Sequence, residues 1–309
     1  MLIFWILFNL FVLGMLLLDL RVLHRAGRVV RPRRALAWSA LWAALAIAFA
    51  VLLFYWKGHQ SALEFATGYV LELSLSIDNL FVFLVIFRYF AVPEEQQHGV
   101  LFWGILGALL LRGTFIVAGV GLIRRFHWVL YAFGAFLILS GLKFFRGMHQ
   151  VDPKKNPVVR LLRRWFPITD SYQGGKFLVR GWQGNPGLYA TPLLLVLAII
   201  ETTDVLFAAD SIPAVLAITL NAFIVYTSNV FAIIGLRSMY FAVAGLIKVF
   251  RYLHYGLATV LILVGVKMLF ADRYPISTAM TLEVVAGVVI ISVLASIASP
   301  AAKSKPPTQ

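Results

Sequence analysis

Five acidic residues lie inside stretches of sequence that are otherwise apolar: Glu72, Asp78, Glu201, Asp204 and Asp210. An ionised side chain at the centre of a bilayer costs about 2.5–3.5 kcal/mol on insertion scales. Carboxylates so placed must face a bundle interior, pair with cations or be protonated. Asn79 and Ser211 adjoin two of them. Asp78, Asn79, Glu201, Asp204, Asp210 and Ser211 thus form a candidate metal-binding set of carboxylate, amide and hydroxyl oxygens. Oxygen donors suit hard divalent cations such as Mn²⁺, Mg²⁺ or Ca²⁺. Arg112 and Arg237 sit near the middle of two further apolar stretches. Each is either a fixed counter-ion or a charge that takes over the carboxylates when a cation leaves. Glu72, Arg112 and Arg237 are accordingly the candidates for proton relay or counter-ion. No residue is expected to be catalytic, and no resident cofactor is expected beyond a transported cation.

Spacing says which of these groups can share a helix face. Glu201 and Asp204 are three apart and Ser74 and Asp78 four apart, so each pair lies on one face. The six-residue steps from Glu72 to Asp78 and from Asp204 to Asp210 turn roughly 240° on a regular helix. Those pairs converge only if the helix is broken or several neighbours contribute. Pro213 frees the carbonyl of Ala209 and offers one such break. Asn229 is either a helix cap or a further polar contact, the cap being favoured.

The elements that hold these residues are membrane spans. Of 309 residues, 61% are hydrophobic and 13% charged, about half the charge of a soluble domain. Apolar runs long enough to cross about 30 Å of hydrocarbon recur. They predict nine helices near 2–18, 35–56, 62–90, 99–123, 126–145, 189–220, 226–249, 252–270 and 277–298. The fold class is all-α, a polytopic membrane protein. The net charge of +14 gathers in the segment after the first helix, in 146–187 and in the tail. The positive-inside rule then places the N-terminus outside and the C-terminus in the cytoplasm. A charge concentrated in such segments predicts no nucleic-acid partner. The absence of cysteine excludes disulfides, thiolate metal sites and cysteine catalysis.

An internal repeat organises the middle of the chain. Ser76–Phe81 resembles Thr202–Phe207 at an offset of 126, and Leu137–Lys143 resembles Leu261–Lys267 at 124. Each repeat holds three helices, and an odd number of crossings reverses direction, so the 3+3 repeat is inverted. Such repeats place a transport site near the midplane at their interface. The expected organisation is 1–60 for peripheral helices 1 and 2, 61–145 for the first repeat and 146–187 for a basic cytoplasmic loop. The second repeat follows at 188–271, and 272–309 holds the ninth helix and a disordered tail.

The residues from Glu64 through Glu72, Ser74, Asp78 and Asn79 resemble the first signature of the TerC family. Ala190-Thr191-Pro192, followed by Glu201 through Pro213 and Thr227-Ser228-Asn229 through Arg237, resembles the second. TerC-like proteins are integral membrane proteins named for tellurite resistance, and several are associated with manganese export. The resemblance implies a secondary transporter that lowers cytoplasmic Mn²⁺ by exchange for protons, in a bacterial inner or cell membrane. The partners implied are the bilayer and the metal ion, with room for a homo-oligomer. Two alternatives stand beside this reading. One is a membrane scaffold of a metal-stress complex that docks through 146–187. The other is an intramembrane aspartyl enzyme, which lacks the Gly-x-Gly-Asp signature expected of it.

Overall fold

The computed structural model describes residues 2–24, 32–145, 157–243, 252–274 and 276–298. Among the described residues the chain is helical apart from one hairpin and short connections. α1 (Leu2–His24), α2 (Pro32–Lys57), α3 (His59–Tyr89), α4 (Glu94–Arg125) and α5 (Trp128–Phe145) come first. A short α6 (Pro157–Trp165) and the strands β1 (Leu178–Trp182) and β2 (Asn185–Ala190) follow. α7 (Pro192–Leu216), α8 (Ala222–Val243), α9 (Leu253–Leu269) and α10 (Thr278–Ala298) complete the order. Among the described residues, seven helices are long and apolar enough to cross a membrane, and the apolar stretches Ile3–Leu17 and Leu253–Leu269 are shorter. Large apolar side chains such as Leu110, Leu139, Leu206 and Ile291 stand exposed along these helices. That outward apolar surface is what a hydrocarbon solvent requires, since it drives no apolar face inward.

The helix ends follow from local chemistry. Gly58 alone joins α2 to α3, with φ +88. Glycine enters that left-handed region at no steric cost, so the chain can reverse within one residue. α7 starts at Pro192, where a missing N–H costs nothing. Pro213 lies inside its last turn, yet the helix runs on, with the Ala217 N–H donating to the Pro213 carbonyl at 3.0 Å. The break considered from sequence does not form. α8 begins at Ala222, where Asn221 Oδ1 accepts from the Phe223 N–H at 3.2 Å. Asn229 is therefore buried within the second turn of α8 and is not a cap, correcting that expectation.

Segment 146–187 is more than a loop. Its described part, from 157 onward, forms α6 and the antiparallel β1–β2 pair, closed by Gln183 and Gly184 at φ 50 and 83. Two left-handed residues make the turn that matches strand twist. Tyr172 Oη donates to the Phe90 carbonyl at 2.6 Å, tying this unit to the α3–α4 turn. Burial pushes the Tyr172 hydroxyl above its usual range, so it stays a donor at ordinary pH.

Packing fixes the helix directions. Gly134 of α5 meets the Gly265 carbonyl of α9, and Gly141 meets that of Ala258. As one index rises by seven the other falls by seven, so α5 and α9 are antiparallel. Gly104 touches Ile200 and Gly119 touches Leu216, so α4 and α7 run parallel. Gly68 touches Ser228 and Phe87 meets Tyr240, so α3 and α8 are parallel as well. Since α3 and α4 are joined by a short turn and run oppositely, α3 and α7 are antiparallel.

The α5–α9 seam leaves no room for a methyl group. A Cβ at Gly265 would lie 2.7 Å from the Gly134 carbonyl oxygen and 2.8 Å from Ile138 Cγ1. At Gly287 of α10 it would meet nothing within 4 Å. Gly265→Ala should therefore lower thermal stability in detergent, at a cost of about 1–3 kcal/mol. Gly287→Ala should melt as the parent does. Equal melting of the two variants would contradict the seam.

Candidate functional site

Three spans supply the charged centre from near their midpoints: α3 with Glu72, α4 with Arg112 and α7 with Asp204. Arg112 donates to Asp204 through two parallel bonds, Nε to Oδ2 at 3.0 Å and Nη2 to Oδ1 at 2.9 Å. Its Nη1 donates to Glu72 Oε1 and also reaches Ser211 Oγ at 3.3 Å. Ser76 Oγ lies 3.4 Å from Glu72 Oε1, one turn further along α3. The side-chain exposures are 1% for Arg112 and Glu72 and 8% for Asp204, so water does not screen the ion pairs. A planar guanidinium suits this place because its fork matches a carboxylate and its remaining donors reach a second acid.

With both acids ionised, the triad carries one net negative charge. Glu72 Oε2 is buried and has no hydrogen-bond partner among the described residues. Asn79 Oδ1, buried on the same helix, has none among them either. Two small cavities flank the triad. One, of about 10 Å³, lies on the α5 side and is lined by Glu72, Asn79, Arg112, Phe144, Asp210 and Ser211. It is about the space one water needs. The other, of about 20 Å³, lies on the α8 side and runs from Asp204 past Leu80, Phe83 and Leu236 to Tyr240. Tyr240 Oη donates to Gln97 Oε1 at 2.9 Å beyond that end.

The remaining sequence candidates are distributed around this centre. Asp210 does not join the triad; Ser140 Oγ of α5 donates to its Oδ1 at 2.6 Å. On an unbroken helix the six-residue step from Asp204 turns it away, as roughly 240° of rotation requires. Glu201 shares the broad face of Asp204 but lies against α4 one turn from Arg112. A Cβ at Gly107 would sit within 2.5 Å of its Oε2, so the bare backbone there makes room for the carboxyl group. Glu201 Oε2 is buried without a hydrogen-bond partner among the described residues. The side chains of Asp78 and Arg237 lie outside the described residues. Among the described residues, no three carboxylate or imidazole groups converge as metal ligands. Ser76 and Ser140 were not singled out from sequence; their spacing of four from Glu72 and from Phe144 gave no reason to choose them over other serines.

The architecture and centre define a polytopic, all-α integral membrane protein with an ionic triad at the middle of its spans. Residues 57–305 match the family described as "Integral membrane protein TerC family". The chain belongs to that family. It is 47% identical over 294 residues to the "Uncharacterized membrane protein STKORF319" of Myxococcus xanthus, covering 95% of this chain and 91% of the relative. It is 44% identical over 290 residues to the "Putative membrane-bound redox modulator Alx" of Escherichia coli K12, covering 90% and 89%. A Rickettsia bellii membrane protein is 36% identical over 294 residues, covering 95% and 96%. No solved structure matches the chain.

The triad sets a stability test. Arg112→Met leaves Glu72 and Asp204 buried and uncompensated, which should cost about 3–5 kcal/mol. Adding Glu72→Gln and Asp204→Asn removes the stranded charges and should restore most of the lost thermal stability in detergent. If the triple variant melts no higher than Arg112→Met, the ion pairs do not carry the stability of this centre.

Proposed function

We propose that the chain is a secondary transporter that exports a hard divalent cation, foremost Mn²⁺, in exchange for protons. The observation that carries this reading is the charge surplus of the triad. Two buried acids share one guanidinium at mid-span, and a carboxylate oxygen beside a cavity has no partner among the described residues. A cation can take that oxygen and draw Asp204 or Glu72 from Arg112. Arg112 reclaims the acids when the ion leaves. Protonation weakens a carboxylate as a metal ligand, so protons entering from outside favour release there. Asp210, Ser211 and Asn79, around the α5-side cavity, are the neutral and acidic oxygens nearest to such an ion. Asp78 would join them by its sequence relation to Asp204.

Several observations support alternating access by an inverted repeat of α3–α5 and α7–α9. α3 and α7 run in opposite senses. The offset of 124 turns the contact of Gly134 with Gly265 into that of Ala258 with Gly141, which also occurs. α3 packs on α8 as α7 packs on α4. Charge bias then puts the N-terminus outside and α6 with its hairpin in the cytoplasm.

The choice of Mn²⁺ rests on the family resemblance. The word redox in the Alx name fits a transporter of a redox-active ion, since a chain without cysteine has no thiol couple of its own. The guanidinium standing between Glu72 and Asp204 is the reverse of a proton-sharing acid dyad.

Proteoliposomes test the proposal. With an acidic lumen, the wild-type chain should accumulate Mn²⁺, and a collapsed pH gradient should stop it. Asp204→Asn and Asp78→Asn should each cut the initial rate by at least about a hundredfold, the loss of one buried charge contact near 3 kcal/mol. Full transport by folded Asp204→Asn protein would overturn the proposal.

A further inference from the structure

The bundle has one feature that the ion centre does not use. Among the described residues no helix backbone packs closely along α1, although its Phe8, Val12 and Leu16 are buried. Side chains hold it instead. Trp5 meets Phe223 and Tyr226, and Tyr226 Oη donates to Asn9 Oδ1 at 2.7 Å. Between α1 and α2 the separation leaves a cleft of about 590 Å³. Phe8, Phe49 and Phe231 form its floor, with ring centroids 5.3–5.8 Å apart. Leu7 and Leu52 stand exposed on its two walls. Phe4 and Trp56 meet across one end at 4.2 Å.

We propose that this cleft binds one anionic phospholipid, with an acyl chain between α1 and α2 and the phosphate at Lys57. Three observations point to that occupant. The cleft is apolar and opens sideways along membrane spans, so hydrocarbon rather than water fills it. Its wall on α2 runs from Leu45 to Trp56, a rise of roughly 16 Å at 1.5 Å per residue. One leaflet of hydrocarbon is half of about 30 Å, so the length matches a single acyl chain. Lys57 stands where the cleft meets the headgroup level. Its Nζ lies 4.7 Å from the Trp56 ring centroid and 5.4 Å from that of Phe223. No carboxylate pairs with it among the described residues. A lysine held by two rings at that depth presents its charge to a phosphate.

The same lipid would cover the face of α1 along which no helix backbone lies close. A chain in the cleft supplies the van der Waals contacts that neighbouring helix would otherwise give. This site is independent of which ion the centre moves.

The test uses the full chain, purified and examined by native mass spectrometry with phosphatidylglycerol or phosphatidylcholine added. The wild-type protein should retain one phosphatidylglycerol in preference to phosphatidylcholine. Ala48→Trp fills the cleft and should lower retention by about tenfold or more, since lost burial of two methylenes is worth that. Leu7→Trp fills it from the other wall and serves if Ala48→Trp does not fold. Lys57→Gln should keep a bound lipid and abolish the preference for the anionic head. Undiminished retention by the folded, cleft-filled variants would overturn the proposal. So would an isoprenoid quinone in place of phospholipid, or a second copy of the chain covering the cleft.

Discussion

A guanidinium in the middle of a hydrocarbon layer constrains everything around it. Arg112 needs acceptors for its donors, because it is 1% exposed and shut off from bulk water, and Asp204, Glu72 and Ser211 provide them from two other helices. α3, α4 and α7 must therefore meet at one level and one rotation. A helix phase error of one residue would point Asp204 about 100° away. It would also strand a charge where stranding is most costly. The triad thus specifies the packing of three spans more sharply than apolar side chains can, since those are as content against lipid as against each other.

Glycine provides the closeness that this arrangement needs. On α4, Gly104 and Gly107 let Ile200 and Glu201 of α7 lie against bare backbone, two turns and one turn before Arg112. That approach brings α7 near enough for the two-bond Arg112–Asp204 pairing. On α5 and α9, Gly134, Gly141 and Gly265 bring carbonyl oxygens against Cα positions along an antiparallel seam. Small residues drive association in membranes because they allow intimate van der Waals contact without any aqueous solvent to expel. The polar centre and the glycine seams act together: one fixes rotation, the other fixes distance.

The spans were legible in the sequence because length and apolar content suffice to mark them. The short α6 and the hairpin were not, since Pro, Gly and Arg dominate that segment and neither element crosses the membrane. The acids were legible as residues under constraint, yet their grouping was only partly so. Glu201 and Asp204 share a face by spacing, but that face is wide enough for one to reach Arg112 while the other lies on Gly107. Glu72 and Arg112, read as relay and counter-ion, stand at the centre with Asp204. Asp210 turns to Ser140. A helix that is apolar all round has no polar stripe to reveal which side faces its neighbours. Rotational phase is therefore settled by tertiary contacts, which the spacing of charges along one helix does not contain. Asn229 shows the same limit: its turn-like neighbours Thr227 and Ser228 suggested a cap, while α8 in fact begins a full two turns earlier, at Ala222.

A network that only held helices together would be served by equal numbers of opposite charges. Here the two acids of the triad outnumber its guanidinium, and Glu201 adds a buried carboxyl oxygen one turn from Asp204 on α7. Each surplus charge raises the cost of the folded state unless a proton or cation neutralises it. Neutralisation by a species that comes and goes makes the energy of the centre depend on the ions on either side. Arg112 can satisfy Glu72 and Asp204 together only while no other cation holds one of them. In the proposed cycle, two occupants would compete for the same oxygens, each favouring a different set of contacts among α3, α4 and α7. That competition is the differential interaction any two-state transport cycle requires. On the proposed reading it would arise from three side chains and the refusal of hydrocarbon to solvate them.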